Sequence, residues 1–138
     1  MMSLDIAKIR GAKNSMEDIK TLEKSISEAL APLINDMNLL EEVYRHYLVF
    51  LEEKKERMDV NHRKRFLFIA AYLFCPGVLI GGKMPQGFRA RLQEVIHVNS
   101  SSTISNEVVN LLFLYGCYHD FRDGVNEAFE HVANAMGF

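Results

Sequence analysis

Apolar residues recur at steps of three and four along most of the chain, the spacing that places them on one face of an α-helix. The first run follows a capping pair that starts at Ser15, and it ends near Pro32, which cannot continue a helix. A second run extends from Leu39 to about Arg57. Because only a short polar turn separates the two runs, we expect an antiparallel helical hairpin. Each helix has one apolar face, which must be buried against its neighbour, the rest of the chain or a second copy. Burial against a second copy would make the protein a homodimer through the hairpin, and this is the homodimer that we expect.

The helical pattern continues in the second half of the chain, and Asn61 is the expected cap of the next helix. Outward-facing Val109 and Phe113 make a later helix apolar on both sides, so we expect the last helix to cover them. The predicted fold is all-α, with a helical hairpin domain at 1–59 and a helical domain at 60–138. The elements predicted for the second domain are a central helix at 62–74, a glycine-rich connector at 76–87, a fourth helix opening at Gln86 or Gly87, a fifth from about 104 to 118, and a last helix at 123–136.

The composition, 49% hydrophobic and 25% charged, is that of a folded globular protein rather than a disordered chain. Cys75 and Cys117 have no paired spacing, which favours buried thiols in a reducing compartment and hence a cytoplasmic protein. The uncharged stretch at 66–82 is interrupted by Pro76, so we expect no membrane span. The first 13 residues lack the apolar core of a secretion signal.

Charge is distributed unevenly along the chain. Residues 61–106 carry six Lys or Arg and one acid, a net charge of +5, whereas 1–60 carry −3 and 107–138 carry −4. A local field of one sign inside a mildly acidic protein is what a polyanion would respond to. The pattern therefore indicates a nucleic-acid surface in the middle of the sequence.

The fourth and fifth helices, with the polar turn between them, have the order of a helix-turn-helix, whose second helix places its N-terminal residues at base edges in the major groove. Asn99 can adopt the left-handed conformation of a tight turn, and the hydroxyls after it can cap the next helix. The expected DNA-binding residues are phosphate-binding cations, groove-edge hydroxyls and adenine-reading amides. They are Lys83, Arg89, Arg91, Ser100, Ser101, Ser102, Thr103, Asn106 and Asn110.

Two short segments resemble the C-terminal DNA-binding domain of the bacterial replication initiator DnaA. Ile69-Ala70-Ala71-Tyr72-Leu73 is similar to the Ile-Ala-Met-Tyr-Leu helix of that domain, and 96–104 is similar in length to its Phe-Gly-Gly-Arg-Asp-His-Thr/Ser-Thr-Val turn. The resemblance covers about 63–120 and implies a helix-turn-helix fold of the Trp-repressor-like group. It also implies base contacts from Ser100, Ser101 and Ser102.

The sequence thus predicts a small bacterial DNA-binding protein, a transcriptional or replication-associated regulator whose partner is double-stranded DNA. The alternative is a helical protein-interaction or assembly module in which the basic block is incidental, and two plain core helices at 86–115 are a third possibility. We expect no enzyme, metal or cofactor. The five histidines form no metal-ligand pair with a carboxylate, and the connector glycines lack the spacing of a phosphate-binding loop.

Overall fold

The computed structural model describes residues 2–138, apart from the side chain of Ser101, and over these residues the chain is all-α, as predicted. No strand occurs in this part of the chain. The elements are α1 (Ile6–Ala29), α2 (Leu39–Lys54), α3 (Val60–Phe74), a 3₁₀ helix (Pro76–Ile80), α4 (Gln86–Ile96), α5 (Ser101–Val108), α6 (Leu111–Cys117) and α7 (His119–Met136).

The chain divides into two compact units after Ala31, not after residue 59. The helix α2, predicted to belong to the N-terminal domain, packs against α7, α4 and α3 in the second unit. The reason is its apolar face, whose Leu40 and Val43 are fully buried. A face that is buried in this way belongs to the core of the second unit.

The first unit consists of α1 and a few flanking residues. This helix begins well before the predicted start at Ser15, because the Asp5 carboxylate accepts a hydrogen bond from the Lys8 backbone N–H at 3.0 Å and caps it. None of the residues of α1 is buried. Among the described residues of this unit, 2–31, there is no second helix to cover the apolar face of α1.

In the second unit, α3 is the central helix, as predicted, and it contacts α2, α5, α6, α7 and the 3₁₀ helix. Six consecutive residues, 66–71, are buried, which requires neighbours on every side of the helix. Its cap is Asp59, whose carboxylate accepts the His62 backbone N–H at 2.8 Å. The prediction of Asn61 as cap is wrong, because the helix starts at Val60, two residues before the predicted start at His62.

The glycine-rich connector forms a tight turn around the 3₁₀ helix. Gly82 donates its N–H to the Gly77 carbonyl at 2.8 Å, and a Cβ at Gly82 would lie 2.6 Å from that oxygen. Only glycine permits this approach. The connector's glycines thus serve chain reversal before α4.

The predicted fifth helix is divided in two, since α5 ends at Val108 and α6 begins at Leu111. The break turns the chain so that Ile104 and Leu111 are both fully buried. Val109 and Phe113, which we expected α7 to cover, are 72% and 61% exposed. That prediction is wrong because α7 directs its buried residues toward the core formed with α2 and α3.

Candidate functional site

The segment α4–turn–α5 has the element order of a helix-turn-helix, with a turn at 97–100. His97, not Asn99 as predicted, has the left-handed conformation (φ 57°) and ends α4. Ser100 is extended, and its hydroxyl accepts the Ser102 backbone N–H at 3.3 Å, so it caps α5. The hydroxyl-rich helix start expected from the sequence is therefore present.

Most of the side chains expected to contact DNA are exposed near the start of α5, but the predicted set is not carried by a single helix. Ser100, Ser102 and Asn106 are exposed and Thr103 is partly buried, whereas the side chain of Ser101 lies outside the described residues. Asn110 is exposed but sits in the break between α5 and α6. The two amides predicted to read adenines are thus not on the same helix.

The cations of the central block do not converge, contrary to the prediction. Arg91 of α4 forms ion pairs with Glu94 at 2.9 Å and with Glu41 of α2 at 3.0 Å. The guanidinium of Arg63 on α3 forms a two-pronged ion pair with Glu107 on α5. Acids from the flanking blocks therefore compensate much of the local positive charge.

The side chain of Arg65 also makes its contacts within the helical bundle. Its guanidinium lies so close to Gly124 of α7 that a Cβ there would be 2.7 Å from Cζ, and one nitrogen donates to the Asp120 carbonyl at 3.4 Å. This third arginine serves the α3–α7 contact rather than an outside ligand.

Lys83 and Arg89 are the two predicted site cations that remain together. They line an open cleft of about 620 Å³ with Gln86 and Gln93, and among the described residues neither lies within 4.0 Å of a carboxylate. The Arg89 Nε is buried without a hydrogen-bond partner in that part of the chain. Arg91 lies about 200° around α4 from Arg89, so it cannot join this cleft.

Two apolar surfaces are larger than the sequence led us to expect. The first, which we call the α1 stripe, is formed by side chains that are 50–65% exposed: Ile6, Ile9, Met16, Ile19, Leu22 and Ile26. The second, the α6 patch, is formed by Val109, Leu112, Phe113 and Tyr118, which are 46–72% exposed. The absence of any charged residue from 108 to 118 is the sequence signal that could have identified the patch.

A partly buried polar cluster, formed by α2, the turn that follows it and α3, also escaped the sequence analysis. Tyr47 Oη lies 2.9 Å from His62 Nδ1, and His62 Nε2 lies 2.7 Å from Glu56 Oε2. Burial raises the pKa of the Tyr47 phenol well above its ordinary value, so the hydroxyl stays protonated and can donate to the imidazole. The cluster satisfies buried polar groups and ties the two helices together.

Among the described residues there is no group of three or more His, Cys, Asp or Glu side chains placed to hold a metal ion. No helix in that part of the chain is long and apolar enough to cross a lipid bilayer. The chain matches no family model, no curated protein and no solved structure. Function must accordingly be inferred from the surfaces themselves.

Proposed function

We propose that the chain is a helical assembly module that binds other polypeptides through its exposed apolar surfaces. The observation that carries the proposal is α1, a 24-residue helix with no buried residue and six large exposed apolar side chains. Four of them, Ile9, Met16, Ile19 and Ile26, fall within a sector of about 100° on the helix surface. An isolated helix is marginally stable in water, and its stability in proteins comes mostly from burying an apolar face. A partner for the α1 stripe supplies that burial.

The α6 patch supports the same function from the second unit. Phe113 and Tyr118 are in edge-to-face ring contact, with centroids 6.4 Å apart, and both are more than half exposed. Clustered exposed aromatic residues are typical of protein-binding surfaces, where each can anchor a partner. The second unit therefore offers its own contact surface.

A photo-crosslinking residue at position 19 of the full chain tests this proposal in the cells that express it. We expect a discrete, saturable protein adduct from position 19 and none from position 21, which lies about 200° around the same helix. Loss of the adduct in an Ile26→Asp background would tie it to the α1 stripe. Equal labelling from positions 19 and 21, or none from either, would refute binding through this face.

DNA binding is a second candidate, favoured by one specific observation. Lys83 and Arg89 share a cleft in which no carboxylate of the described residues pairs with them, and the α5 start exposes Ser100 and Ser102. Cations without acidic partners can neutralise phosphates, and hydroxyls can accept or donate at the backbone or base edges.

Fluorescence anisotropy with a random DNA duplex, titrated at several salt concentrations, tests the DNA candidate. Changing Lys83 and Arg89 together to Ala should flatten the plot of log affinity against log salt by about two units. Arg91→Ala is the matched control and should leave the slope unchanged, because Arg91 is already paired with Glu41 and Glu94. The cleft would be eliminated as a phosphate site if Arg91→Ala flattened the plot as much as the double change, or if the affinity did not depend on salt.

A further inference from the structure

We infer that the partner of the α1 stripe is the stripe of a second copy of this chain, with the two helices antiparallel. The inference rests on the proposed assembly function and specifies its partner. It is supported by the order of charges along α1, the symmetric placement of four stripe residues about the helix midpoint, and the relation of those charges to the helix dipole.

The charges of α1 separate into a basic and an acidic half. Residues 6–16 contain three cations and no acid, whereas 17–29 contain four acids and two cations, giving +3 and −2. Two parallel copies would place +3 beside +3 and −2 beside −2. Antiparallel copies place each basic half beside an acidic half, which is the arrangement that electrostatics favours.

Four of the six apolar side chains of the α1 stripe are placed symmetrically for the same arrangement. In an antiparallel pair centred on the middle of α1, between residues 17 and 18, each residue faces the one equally far on the other side of the centre. Ile9 then faces Ile26 and Met16 faces Ile19. Apolar side chains near both ends and at the centre thus meet apolar side chains.

The helix dipole disfavours this charge order in an isolated helix. The N-terminal end of a helix is partially positive and prefers acids, yet beyond the cap Asp5 the first turn of α1 has no acid, and the last turn has no base. In the antiparallel pair, Lys8 of one copy comes near the partially negative C-terminal end of the other, and Glu28 near its partially positive N-terminal end. Pairing therefore relieves an unfavourable interaction that the single helix retains.

Engineered cysteines test the orientation in the full chain after Cys75→Ala and Cys117→Ser. Ile9→Cys alone should form no crosslinked dimer under mild oxidation, because its two copies are about 26 Å apart along the pair. A mixture of Ile9→Cys with a tagged Ile26→Cys chain should form the mixed disulfide dimer. Crosslinking of Ile9→Cys with itself would overturn the antiparallel arrangement.

Sedimentation equilibrium at low salt tests the pairing itself. Ile19→Asp with Ile26→Asp should raise the dissociation constant at least about a hundredfold, since each buried isoleucine contributes about 1.5–3 kcal/mol. Asn14→Asp with Thr21→Asp is the matched control, with the same added charge and spacing on the opposite face, and it should remain dimeric. Equal weakening by both pairs of changes would overturn the role of the stripe.

Reversing the charges of α1 separates charge pairing between two copies from a role of these side chains in folding, because only charge pairing can be restored by reversing the opposite half. Changing Lys8, Arg10 and Lys13 to Glu should produce monomers, and adding Glu17→Lys, Glu23→Lys and Glu28→Lys should restore the dimer. Failure of the second set to restore it would contradict the charge pairing.

The outcomes separate this inference from the proposed function. A purified chain that stays monomeric at high concentration, while position 19 crosslinks to a different protein in cells, refutes self-pairing and leaves the assembly function standing. Retention of the chain on anionic lipid vesicles through α1 would likewise replace the second copy by a membrane surface. Monomers without any adduct refute both.

Discussion

The ion pair between Arg63 and Glu107 ties the C-terminal end of α5 to α3, and its removal has a calculable effect. Arg63 Nε donates to Glu107 Oε2 at 2.8 Å, and a second nitrogen donates to Oε1. The side chains are 24% and 11% exposed. The bond to Glu107 raises the pKa of Arg63, in keeping with a guanidinium that is stabilised as a cation.

We expect Glu107→Ala to lower the free energy of unfolding by about 2–3 kcal/mol, because a largely buried guanidinium loses two charge-assisted hydrogen bonds and water can reach only part of it. Arg63→Ala should have a similar cost. The double variant should be less destabilised than the sum by about 1–2 kcal/mol, since each single change leaves the other charge unpaired.

Urea unfolding followed by circular dichroism measures these values, and tyrosine fluorescence gives a second signal in a chain without tryptophan. Glu94→Ala is the control, because Glu94 is 68% exposed in its pair with Arg91 and such pairs contribute at most about 1 kcal/mol. Additive single changes, or a cost no larger than that of Glu94→Ala, would refute the view that Glu107 fixes α5 on α3.

Three other measurements test the description of the second unit. Phe88→Ala should cost about 3–5 kcal/mol in urea unfolding because Phe88 is 1% exposed, whereas Phe113→Ala should cost under about 0.5 kcal/mol; equal costs would show that the α6 patch is part of the core. Burial raises the pKa of Cys75 to about 12, so iodoacetamide at pH 8 should modify exposed Cys117 well before Cys75, and equal rates by mass spectrometry would contradict this burial. Because the pKa of Tyr47 is raised in the folded state, its contribution to stability is complete below the ordinary value of 10.0 and is lost as the pH rises further, so Tyr47→Phe should flatten the decline of stability above pH 10; an unchanged decline would assign it to other groups.

The DNA prediction depended on a property that linear sequence represents poorly. Six cations within 61–106 suggested one positive surface, but Arg91 is paired with Glu41, 50 residues earlier, and Arg63 with Glu107, 44 residues later. Whether an acid neutralises a cation depends on the distance between the two side chains in the folded protein, not on their separation in sequence. Of the predicted site cations, Lys83 and Arg89 lie together in one cleft, and among the described residues neither has an ion-pairing carboxylate.

The amino-acid sequence alone is enough to predict the helical class, the central position of α3 and the hydroxyl cap at the start of α5. These follow from local physical chemistry: apolar spacing, apolar residues on every side of one helix, and hydroxyls that accept backbone N–H groups. Such features need no knowledge of distant residues.

Which apolar faces are buried depends on the tertiary fold. The apolar faces of α1 and α2 have similar spacing in sequence, yet Leu40 and Val43 are buried by α7 and its neighbours while Ile19 stays more than half exposed. It also decided that the chain turns after Val108, which left Phe113 outside the core. Amphipathic spacing shows that a face can be buried, but only the arrangement of helices far apart in sequence supplies the surface that buries it.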